Sequence, residues 1–351
     1  MTTLPELGWD TGRDTEFAPF SETCHPARVA RPDKGSYVVL TESGPGRAEV
    51  SGALRHAAAD PTELPTVGDW VAVGTETGLI EAVLPRRTAF VRHGSASATV
   101  GQVLAANVDV VFVVVALATE PNLRRLERFL ALAWESGAQP VVLLTKADLC
   151  ANLPSVLWDV GNAAPGCPVH AVSVVDGTGL DDVRGHLTPG RTVVLLGASG
   201  VGKSTLANAL LGATHLHTTS IRGDGKGRHT TTHRELIPLP GGAVLIDTPG
   251  LRGLQLWDAA EGLDRAFAEV EALARDCRFT DCAHVTEPGC AILAALGDGT
   301  LDPRRWESYQ KLQRELHHLA RRQDARLRQA EVQRWKQIAR EGKARARPQT
   351  R

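Results

Sequence analysis

Short hydrophobic runs separated by turn residues dominate residues 36–93, and Gly, Pro and Asp clusters interrupt them. About five strands in so short a segment are typical of an OB-like or SH3-like barrel. Residues 1–34 show no sustained periodicity, and we expect an irregular N-terminal extension there. The pattern therefore predicts a β-barrel over residues 35–95, with strands at Tyr37–Leu40, Ala48–Val50, Trp70–Val73, Gly78–Val83 and Ala89–Arg92.

A different pattern begins near residue 105. Val108–Leu117 is almost continuously apolar, as expected of a strand buried on both faces, and Leu123–Ser136 has helical spacing. Strands then alternate with helices as far as residue 262, which predicts an α/β domain with a mainly parallel sheet over residues 105–262. Further strands are expected at Pro140–Leu144, Pro168–Ser173, Thr192–Leu196, Arg234–Leu239 and Ala243–Asp247, and helices at Val156–Asn162, Leu180–Leu187, Lys203–Leu211 and Leu263–Arg275.

A glycine-rich loop lies between the predicted strand Thr192–Leu196 and the predicted helix Lys203–Leu211. Its sequence fits GxxxxGK[ST], in which backbone N–H groups of the loop surround the phosphates of a nucleotide. Lys203 is expected to reach the β- and γ-phosphates, and the Ser204 hydroxyl to bind Mg²⁺. The predicted phosphate-binding residues are Gly197, Ala198, Ser199, Gly200, Val201, Gly202, Lys203, Ser204 and Thr205.

A second magnesium element follows the predicted strand Ala243–Asp247, which ends in the sequence Asp-Thr-Pro-Gly. Asp247 is expected to hold Mg²⁺ through water, and the Gly250 amide to contact the γ-phosphate. On its own, such a sequence is also compatible with a plain turn at the end of a strand.

Thr145, Lys146, Ala147 and Asp148 follow another buried strand and are close to the NKxD element that recognises guanine. A carboxylate at Asp148 can accept two hydrogen bonds from the guanine ring N–H and exocyclic amine, which adenine does not offer. Lys146 is expected to lie along the ring. Thr145 stands where Asn is usual. Ser173 and its neighbours are candidates for a second contact with the base through backbone N–H groups.

The order of these elements is unusual. Residues 145–148 and Ser173 precede the P-loop, whereas ordinary GTPases begin with the P-loop and have the guanine element late. The order indicates a circular permutation, which a sheet tolerates because the altered connections run over the surface.

The glycine-rich segment 225–232 occupies the position of a nucleotide-sensitive switch. Thr231, or its neighbour Thr230 or Thr232, is expected to complete the Mg²⁺ shell when GTP is bound. Leu251 follows Gly250 where many GTPases place the Gln that orients the attacking water. His229 is therefore a candidate for that task, and a group supplied in trans by a partner is the alternative. Taken alone, the segment is equally compatible with a flexible basic loop.

Cys277, Cys282, His284 and Cys290 form a C-x4-C-x-H-x5-C cluster within 14 residues. Three thiolates and one imidazole suit a closed, tetrahedral, structural Zn²⁺ site. A disulfide with a free thiol, or three reduced cysteines, would be the alternatives. The cluster predicts one zinc ion per chain in a zinc-binding domain over residues 263–302.

The net charge of −1 conceals a strong asymmetry. Residues 303–351 carry 15 Lys+Arg and 5 Asp+Glu, a net charge of +10, and the rest of the chain carries −11. This basic helical tail suggests an anionic partner such as RNA, although a solvated helix face is also possible. Its first part has apolar residues at helical spacing and is expected to pack on a neighbouring domain, through Trp306, Tyr309, Leu312, Leu316 and Leu319.

The composition is that of a soluble globular protein, with 42% hydrophobic and 23% charged residues, and it excludes a largely disordered chain. The longest strongly apolar stretch, Val108–Ala118, is about half of what a membrane-spanning helix requires. The polar N-terminus lacks an apolar signal core, so we expect a cytoplasmic protein.

Together these residues resemble the RsgA (YjeQ-type) family of circularly permuted GTPases. The resemblance covers about residues 36–300 and rests on the β domain, the order of the nucleotide elements, the GRHTTT segment and the Cys/His spacing. It implies an OB fold, a permuted GTPase domain and a zinc domain. It also implies a GTPase that acts in late maturation of the small (30S) ribosomal subunit, binds its 16S rRNA, and is activated by the subunit. We expect the protein to be a monomer.

Two other functions remain open on the residues alone. A P-loop ATPase or small-molecule kinase is disfavoured by Asp148 and by the lack of an evident acceptor site. An RNA-binding protein with a decayed nucleotide site is disfavoured by the intact Lys203, Ser204 and Asp247.

Overall fold

The computed structural model describes residues 2–92, 101–212, 234–248, 260–318 and 321. The N-terminal domain is a closed barrel with the strand order β1-β2-β3-β5-β4. Only the β3–β5 pair is parallel. The pattern of short strands therefore correctly predicted an OB-like barrel, whose strands are β1 (Cys24–Asp33), β2 (Ser36–Thr41), β3 (Gly44–Val50), β4 (Trp70–Gly74) and β5 (Leu79–Val83). A short helix, α2 (Gly52–Ala57), follows β3.

The prediction of an irregular segment over residues 1–34 is wrong. These residues contain helix α1 (Thr11–Phe17) and strand β1, which is the first strand of the barrel. Charged residues and prolines hid the strand. Arg28 is nevertheless buried, because its guanidinium donates to the carbonyls of Leu7, Gly68 and Asn107.

The strand predicted at Ala89–Arg92 exists as β6, but it lies outside the barrel. It pairs with β7 (Gln102–Ala106) in a separate two-stranded sheet. β1 pairs with β2 on one side and with β4 on the other, which closes the barrel. No free strand edge is therefore left among the described strands of the barrel for β6 to pair with.

The second domain is built on a six-stranded sheet with the order β10-β9-β8-β11-β13-β12. All neighbouring strands are parallel except β12 and β13. The predicted α/β domain is thus confirmed, with β8 (Val110–Ala116), β9 (Gln139–Thr145), β10 (Val169–Val172), β11 (Thr192–Leu196), β12 (Glu235–Pro238) and β13 (Val244–Asp247).

Helices cover both faces of this sheet. One hydrophobic cluster joins alternate residues of β8 to α3 (Leu123–Glu135) and α4 (Leu153–Ala163). The other joins the remaining residues of β8 to α5 (Leu180–Gly185) and α6 (Lys203–Leu211). Because successive residues of a strand face opposite sides, the continuous apolar run in β8 serves both clusters.

In the described residues after the sheet, the helices are α7 (Ala260–Ala266), α8 (Ala268–Arg275), α9 (Ala291–Asp298) and α10, residues 303–318. The single helix predicted at Leu263–Arg275 is interrupted at Phe267, whose buried ring packs against Arg305 and Tyr309. The predicted packing of α10 is confirmed: Tyr309 and Leu312 are buried, and Trp306 and Leu316 contact the same core. Leu319 lies outside the described residues.

A network of hydrogen bonds between buried polar groups joins the barrel to the sheet domain. Asn107, with a φ of +55°, accepts a hydrogen bond from Arg13 at 2.8 Å and donates one to the Gly68 carbonyl at 3.0 Å. Burial lowers the pKa of Arg28, which contacts the same residues, to about 10. Gly68 is required here, because a Cβ at this position would lie 2.2 Å from the Ala106 carbonyl oxygen.

None of the helices in the described ranges combines the length and hydropathy that crossing a membrane requires.

Candidate functional site

The three predicted nucleotide elements meet at one edge of the sheet. Residues 145–148 follow β9, the P-loop follows β11, and Asp247 ends β13. These strands are parallel, and the sheet order places β11 between β8 and β13, with β9 on the far side of β8. Their carboxyl ends therefore open into the same crevice, which is where ligands bind in open α/β sheets.

The backbone conformation of the P-loop requires glycine at three positions. A Cβ on Gly197 would lie 2.4 Å from the carbonyl oxygen of Val114 on the neighbouring strand. Gly200 and Gly202 have φ values of +80° and +96°, in the region where side chains are strained. Helix α6 begins at Lys203, directly after Gly202. The loop thus directs backbone N–H groups and a helix N-terminus toward the crevice.

The Lys203 ammonium lies within this loop. Its Nζ donates to the carbonyl of Gly197 at 2.8 Å and to that of Ala198. The side chain is therefore folded back over the loop, where phosphate groups are expected to bind.

The candidate guanine element is bound to the P-loop by two hydrogen bonds. The buried Thr145 hydroxyl donates to the Val201 carbonyl at 2.5 Å, and Lys146 Nζ donates to the Gly200 carbonyl at 3.2 Å. Lys146 has a φ of +58°, and the side chain of Asp148 is exposed. Thr145, at the position where Asn was expected, thus braces this loop through its hydroxyl.

Ser173 lies beside the guanine element, because β9 and β10 pair Thr145 with Val172. It is fully buried. Its N–H donates to the Thr178 carbonyl at 2.9 Å, and its hydroxyl accepts from Val175 N and Asp176 N. Ser173 therefore organises the turn, and its own N–H is already engaged in this conformation.

Two oxygen donors suited to Mg²⁺ are Ser204 and Asp247. Ser204 is the second residue of α6, and Asp247 is the last residue of β13; both are half-buried. The register pairs Val194 with Ile246, so Asp247 comes one residue later at the same edge as the P-loop strand. Hydroxyl and carboxylate oxygens on this edge fit the hard donor set that Mg²⁺ requires.

Several predicted site residues lie outside the described residues. They are Gly250, Leu251, His229, Thr230, Thr231 and Thr232.

The cysteine cluster forms a compact group. The four candidate ligand atoms of Cys277, Cys282, His284 and Cys290 all lie within 4.8 Å of one another. His284 Nδ1 is 3.6 Å from Cys277 Sγ and 3.4 Å from Cys290 Sγ, and these two sulfurs are 3.9 Å apart. Bonds of about 2.0–2.3 Å to a tetrahedral Zn²⁺ would separate its ligands by roughly 3.3–3.8 Å. The side chains therefore fit a tetrahedral metal ion.

The cysteines of the cluster interact with one another and with backbone N–H groups around them. Burial acts to raise the pKa of the Cys277 thiol, but hydrogen bonds from Ala291 and Ile292 and from the neighbouring thiols bring it below its usual value. Cys290 caps helix α9, accepting from Leu293 N at 3.4 Å. Burial and the neighbouring thiols raise the pKa of Cys282 to about 11, so the two thiols shift in opposite directions, and a bound metal would displace the proton of each.

Sequence reasoning missed a buried ion pair between the last helix and the sheet domain. Arg305 Nη1 lies 2.9 Å from Glu127 Oε1, and both side chains are less than a tenth exposed. One signal was available: Glu127 interrupts the apolar stripe of α3 next to Leu126. Nothing in the sequence indicated its partner, which lies 178 residues away.

The chain matches two family models. The model described as RsgA GTPase matches residues 83–257, and one described as 50S ribosome-binding GTPase matches residues 192–326. The second match begins at β11, the strand that precedes the P-loop. This is what a permuted order produces, because an ordinary GTPase starts at that strand.

Curated relatives and solved structures agree with these matches. The small ribosomal subunit biogenesis GTPase RsgA of Streptomyces avermitilis is 54% identical over 97% of this chain and 93% of its own length. The protein of the same name from Opitutus terrae is 50% identical over 98% of each chain.

Among solved structures, YjeQ from Thermotoga maritima matches with a TM-score of 0.64 and 27% identity, covering 84% of this chain and 98% of that one. YloQ, described as a circularly permuted GTPase, matches with a TM-score of 0.63 and 25% identity, covering 84% and 96%. With the P-loop and the candidate guanine element in permuted order at one sheet edge, the chain belongs to the RsgA family of circularly permuted GTPases.

Proposed function

We propose that this GTPase acts in late maturation of the small ribosomal subunit, hydrolysing GTP to GDP and phosphate when the subunit activates it. The observation that carries the proposal is the joining of residues 145–146 to the P-loop by hydrogen bonds to Val201 and Gly200. These hydrogen bonds connect the loop proposed to recognise the base directly to the loop proposed to bind the phosphates. The relatives named above are small-subunit biogenesis GTPases over nearly the whole chain, which supports the same partner here.

The phosphates bind the loop Gly197–Thr205 through backbone N–H groups. Lys203 exchanges its contacts with the loop carbonyls for the β- and γ-phosphates, and Ser204 and Asp247 hold Mg²⁺. Mg²⁺ held by the oxygens of these two residues would neutralise charge that develops on the phosphate oxygens. The Gly250 amide contacts the γ-phosphate, and Thr231 completes the Mg²⁺ shell.

The base binds between the loops that follow β9 and β10. Asp148 accepts from the guanine ring N–H and amine, Lys146 lies along the ring, and backbone donors after Ser173 reach the carbonyl oxygen. Leu149 and Val175 on these loops are 62% and 87% exposed. A guanine ring between the loops would cover part of this apolar surface.

Hydrolysis depends on the partner because the water-orienting position holds Leu251. An aliphatic side chain neither holds the water nor accepts its proton. His229 orients the water once the small subunit fixes the segment that carries it. The chain alone therefore binds GTP well and turns it over slowly.

The cluster of Cys277, Cys282, His284 and Cys290 holds one structural Zn²⁺. The barrel, the zinc-binding segment and the basic tail together provide contacts to 16S rRNA. The chain is divided into the barrel, the permuted GTPase domain over residues 105–262, the zinc-binding domain over residues 263–302 and the tail over residues 303–351. It works as a monomer in the cytoplasm.

Sedimentation with purified ribosomal subunits tests the proposal. The protein is mixed with small or large subunits in the presence of a non-hydrolysable GTP analogue or GDP. We expect it to sediment with small subunits in the analogue state, to be released in the GDP state, and to stay in the supernatant with large subunits. Two outcomes would contradict the proposal: equal sedimentation with small and large subunits, or the same sedimentation with small subunits in the GTP-analogue and GDP states.

A further inference from the structure

Arg305 is a buried cation that the nucleotide site does not use. Its side chain is 7% exposed, and its guanidinium reaches four neighbouring elements. Nη1 donates to Glu127 of α3 at 2.9 Å and to the carbonyl of Ala163 of α4 at 3.1 Å. Nε donates to Glu269 of α8 at 2.6 Å, and Nη2 donates to the Ala266 carbonyl at the end of α7. One side chain therefore binds α10 to four helices.

Burial makes these contacts interdependent. Glu127 is 3% exposed, and desolvation raises its pKa although Ser308 and Arg305 both donate to it. A carboxylate so buried needs its cation, because removing one partner leaves an uncompensated charge. The guanidinium carbon also lies 3.9 Å from the ring centroid of Phe267, in cation–π contact. If α10 moves away, α3 is left with an unpaired charge.

The same turn of α10 contacts the metal cluster. The ring of Trp306, the residue after Arg305, meets His284 edge to face with centroids 5.6 Å apart. Trp306 stacks on Tyr309 at 5.7 Å, and Tyr309 packs against Phe267 at 5.5 Å. Adjacent residues of one helix thus contact a candidate metal ligand and a buried carboxylate of the GTPase domain.

The conformation of His284 requires an explanation of its own. Its φ is +58°, which side chains rarely adopt. The strain persists only where the surroundings fix it, and a bond from Nδ1 to a metal would do so. Between Cys277 and Cys290 the structure contains no helix or strand. The Glu287 carboxylate accepts hydrogen bonds from the N–H groups of Ala283 and Val285, and a metal bond at His284 would add a second constraint on this loop.

We propose that metal binding at the cysteine cluster and docking of α10 on the GTPase domain form one coupled equilibrium, transmitted through Trp306 and Arg305. The inference rests on the proposed metal site. Loss of the metal releases His284, removes the surface on which Trp306 packs, and withdraws Arg305 from Glu127. By reciprocity, undocking of α10 weakens metal binding by the same factor.

Hydrogen exchange and zinc affinity on the full chain test the coupling. Zinc-loaded and chelator-treated protein are compared by exchange in peptides covering α3 and α10, with β9 as internal reference. We expect zinc removal to accelerate exchange in α3 and α10 but not in β9. Zn²⁺ affinity, measured against a chromogenic chelator, should fall roughly 5- to 150-fold in Arg305→Met and in Trp306→Ala.

Two kinds of control keep the test decisive. Arg304→Met removes an exposed cation from the same turn, and Trp306→Phe keeps an aromatic ring; both should retain zinc affinity close to that of the wild type. If Arg305→Met does not fold, the double variant Glu127→Gln/Arg305→Met is tested in its place. It removes the buried carboxylate charge together with the cation. Unchanged exchange in α3 and α10 after zinc removal, with wild-type affinity in the Arg305 variant, would overturn the coupling. A wild-type chain that binds no Zn²⁺ would instead refute the metal site itself.

Discussion

The Thr145 hydroxyl donates a hydrogen bond of 2.5 Å to the carbonyl of Val201, across a sequence separation of 56 residues. This bond joins the loop that carries Asp148 to the loop that binds phosphate. We therefore expect nucleotide affinity to depend on the hydrogen bond between these two loops.

Replacement of Thr145 by Val should weaken GDP and GTP binding. The variant keeps the side-chain volume but leaves the Val201 carbonyl without this donor. A hydrogen bond of this kind contributes about 0.5–1.5 kcal/mol, which corresponds to a loss of affinity of roughly 2- to 12-fold. Titration with a fluorescent guanine nucleotide measures it. Thr145→Ser, which restores the hydroxyl, should recover the wild-type affinity, and a Val variant that binds as tightly as wild type would disprove the brace.

Asp148→Asn should exchange guanine specificity for xanthine specificity. Asn offers one acceptor and one donor where guanine needs two acceptors, whereas the second carbonyl of xanthine can accept from its amide. We expect loss of GTP binding and gain of XTP binding in competition assays. Asp159→Asn, an exposed carboxylate on α4, serves as the matched control and should leave both affinities unchanged. Full GTP affinity without any for XTP in Asp148→Asn would show that residues 145–148 do not bind the base.

Cys282→Ser should remove the metal and loosen the segment around it. Elemental analysis is expected to find about one zinc per chain in the wild type and much less in the variant, because closed Cys₃His sites contribute directly to folding. Limited proteolysis should then cleave within residues 277–300. Cys150→Ser, outside the cluster, should retain the zinc. A metal-free variant that resists protease as the wild type does would contradict a structural role.

Truncation after Ala320 should reduce the salt dependence of RNA binding. Each neutralised phosphate contributes about −0.9 to the slope of log K against log salt on duplexes, and about −0.7 on single strands. The truncated chain should therefore show a flatter slope while its GTP affinity is unchanged. If the slope stays the same, the tail is a solvated helix face and not an RNA contact.

The geometry that depends on local spacing could be predicted from the sequence. The P-loop geometry follows from glycines that L side chains cannot replace, and the metal cluster follows from the spacing of four ligands. The predicted helix Lys203–Leu211 is found with the same bounds, since a glycine that starts it and a glycine that ends it are both present in the sequence.

Features that depend on distant partners could not be predicted. Arg28 helps to interrupt the apolar pattern of β1, so that the sequence indicates an irregular segment there, yet carbonyls of Leu7, Gly68 and Asn107 accept its hydrogen bonds in the interior. Arg305 likewise stands in a basic segment whose charge suggests an anionic partner such as RNA, and only the fold brings Glu127 to it. A buried charge and an exposed one have the same sequence signal, because burial depends on a partner far along the chain.

Single-turnover GTP hydrolysis with and without small ribosomal subunits tests the central claim most directly. Because Leu251 cannot orient the attacking water, we expect slow hydrolysis by the chain alone and marked stimulation by small subunits, with large subunits as the control. His229→Ala should lose most of the stimulation while keeping its GTP affinity. If stimulation survives intact in that variant, a group supplied by the subunit orients the water instead. If the wild-type chain alone is already as fast as with small subunits, activation by the partner is wrong.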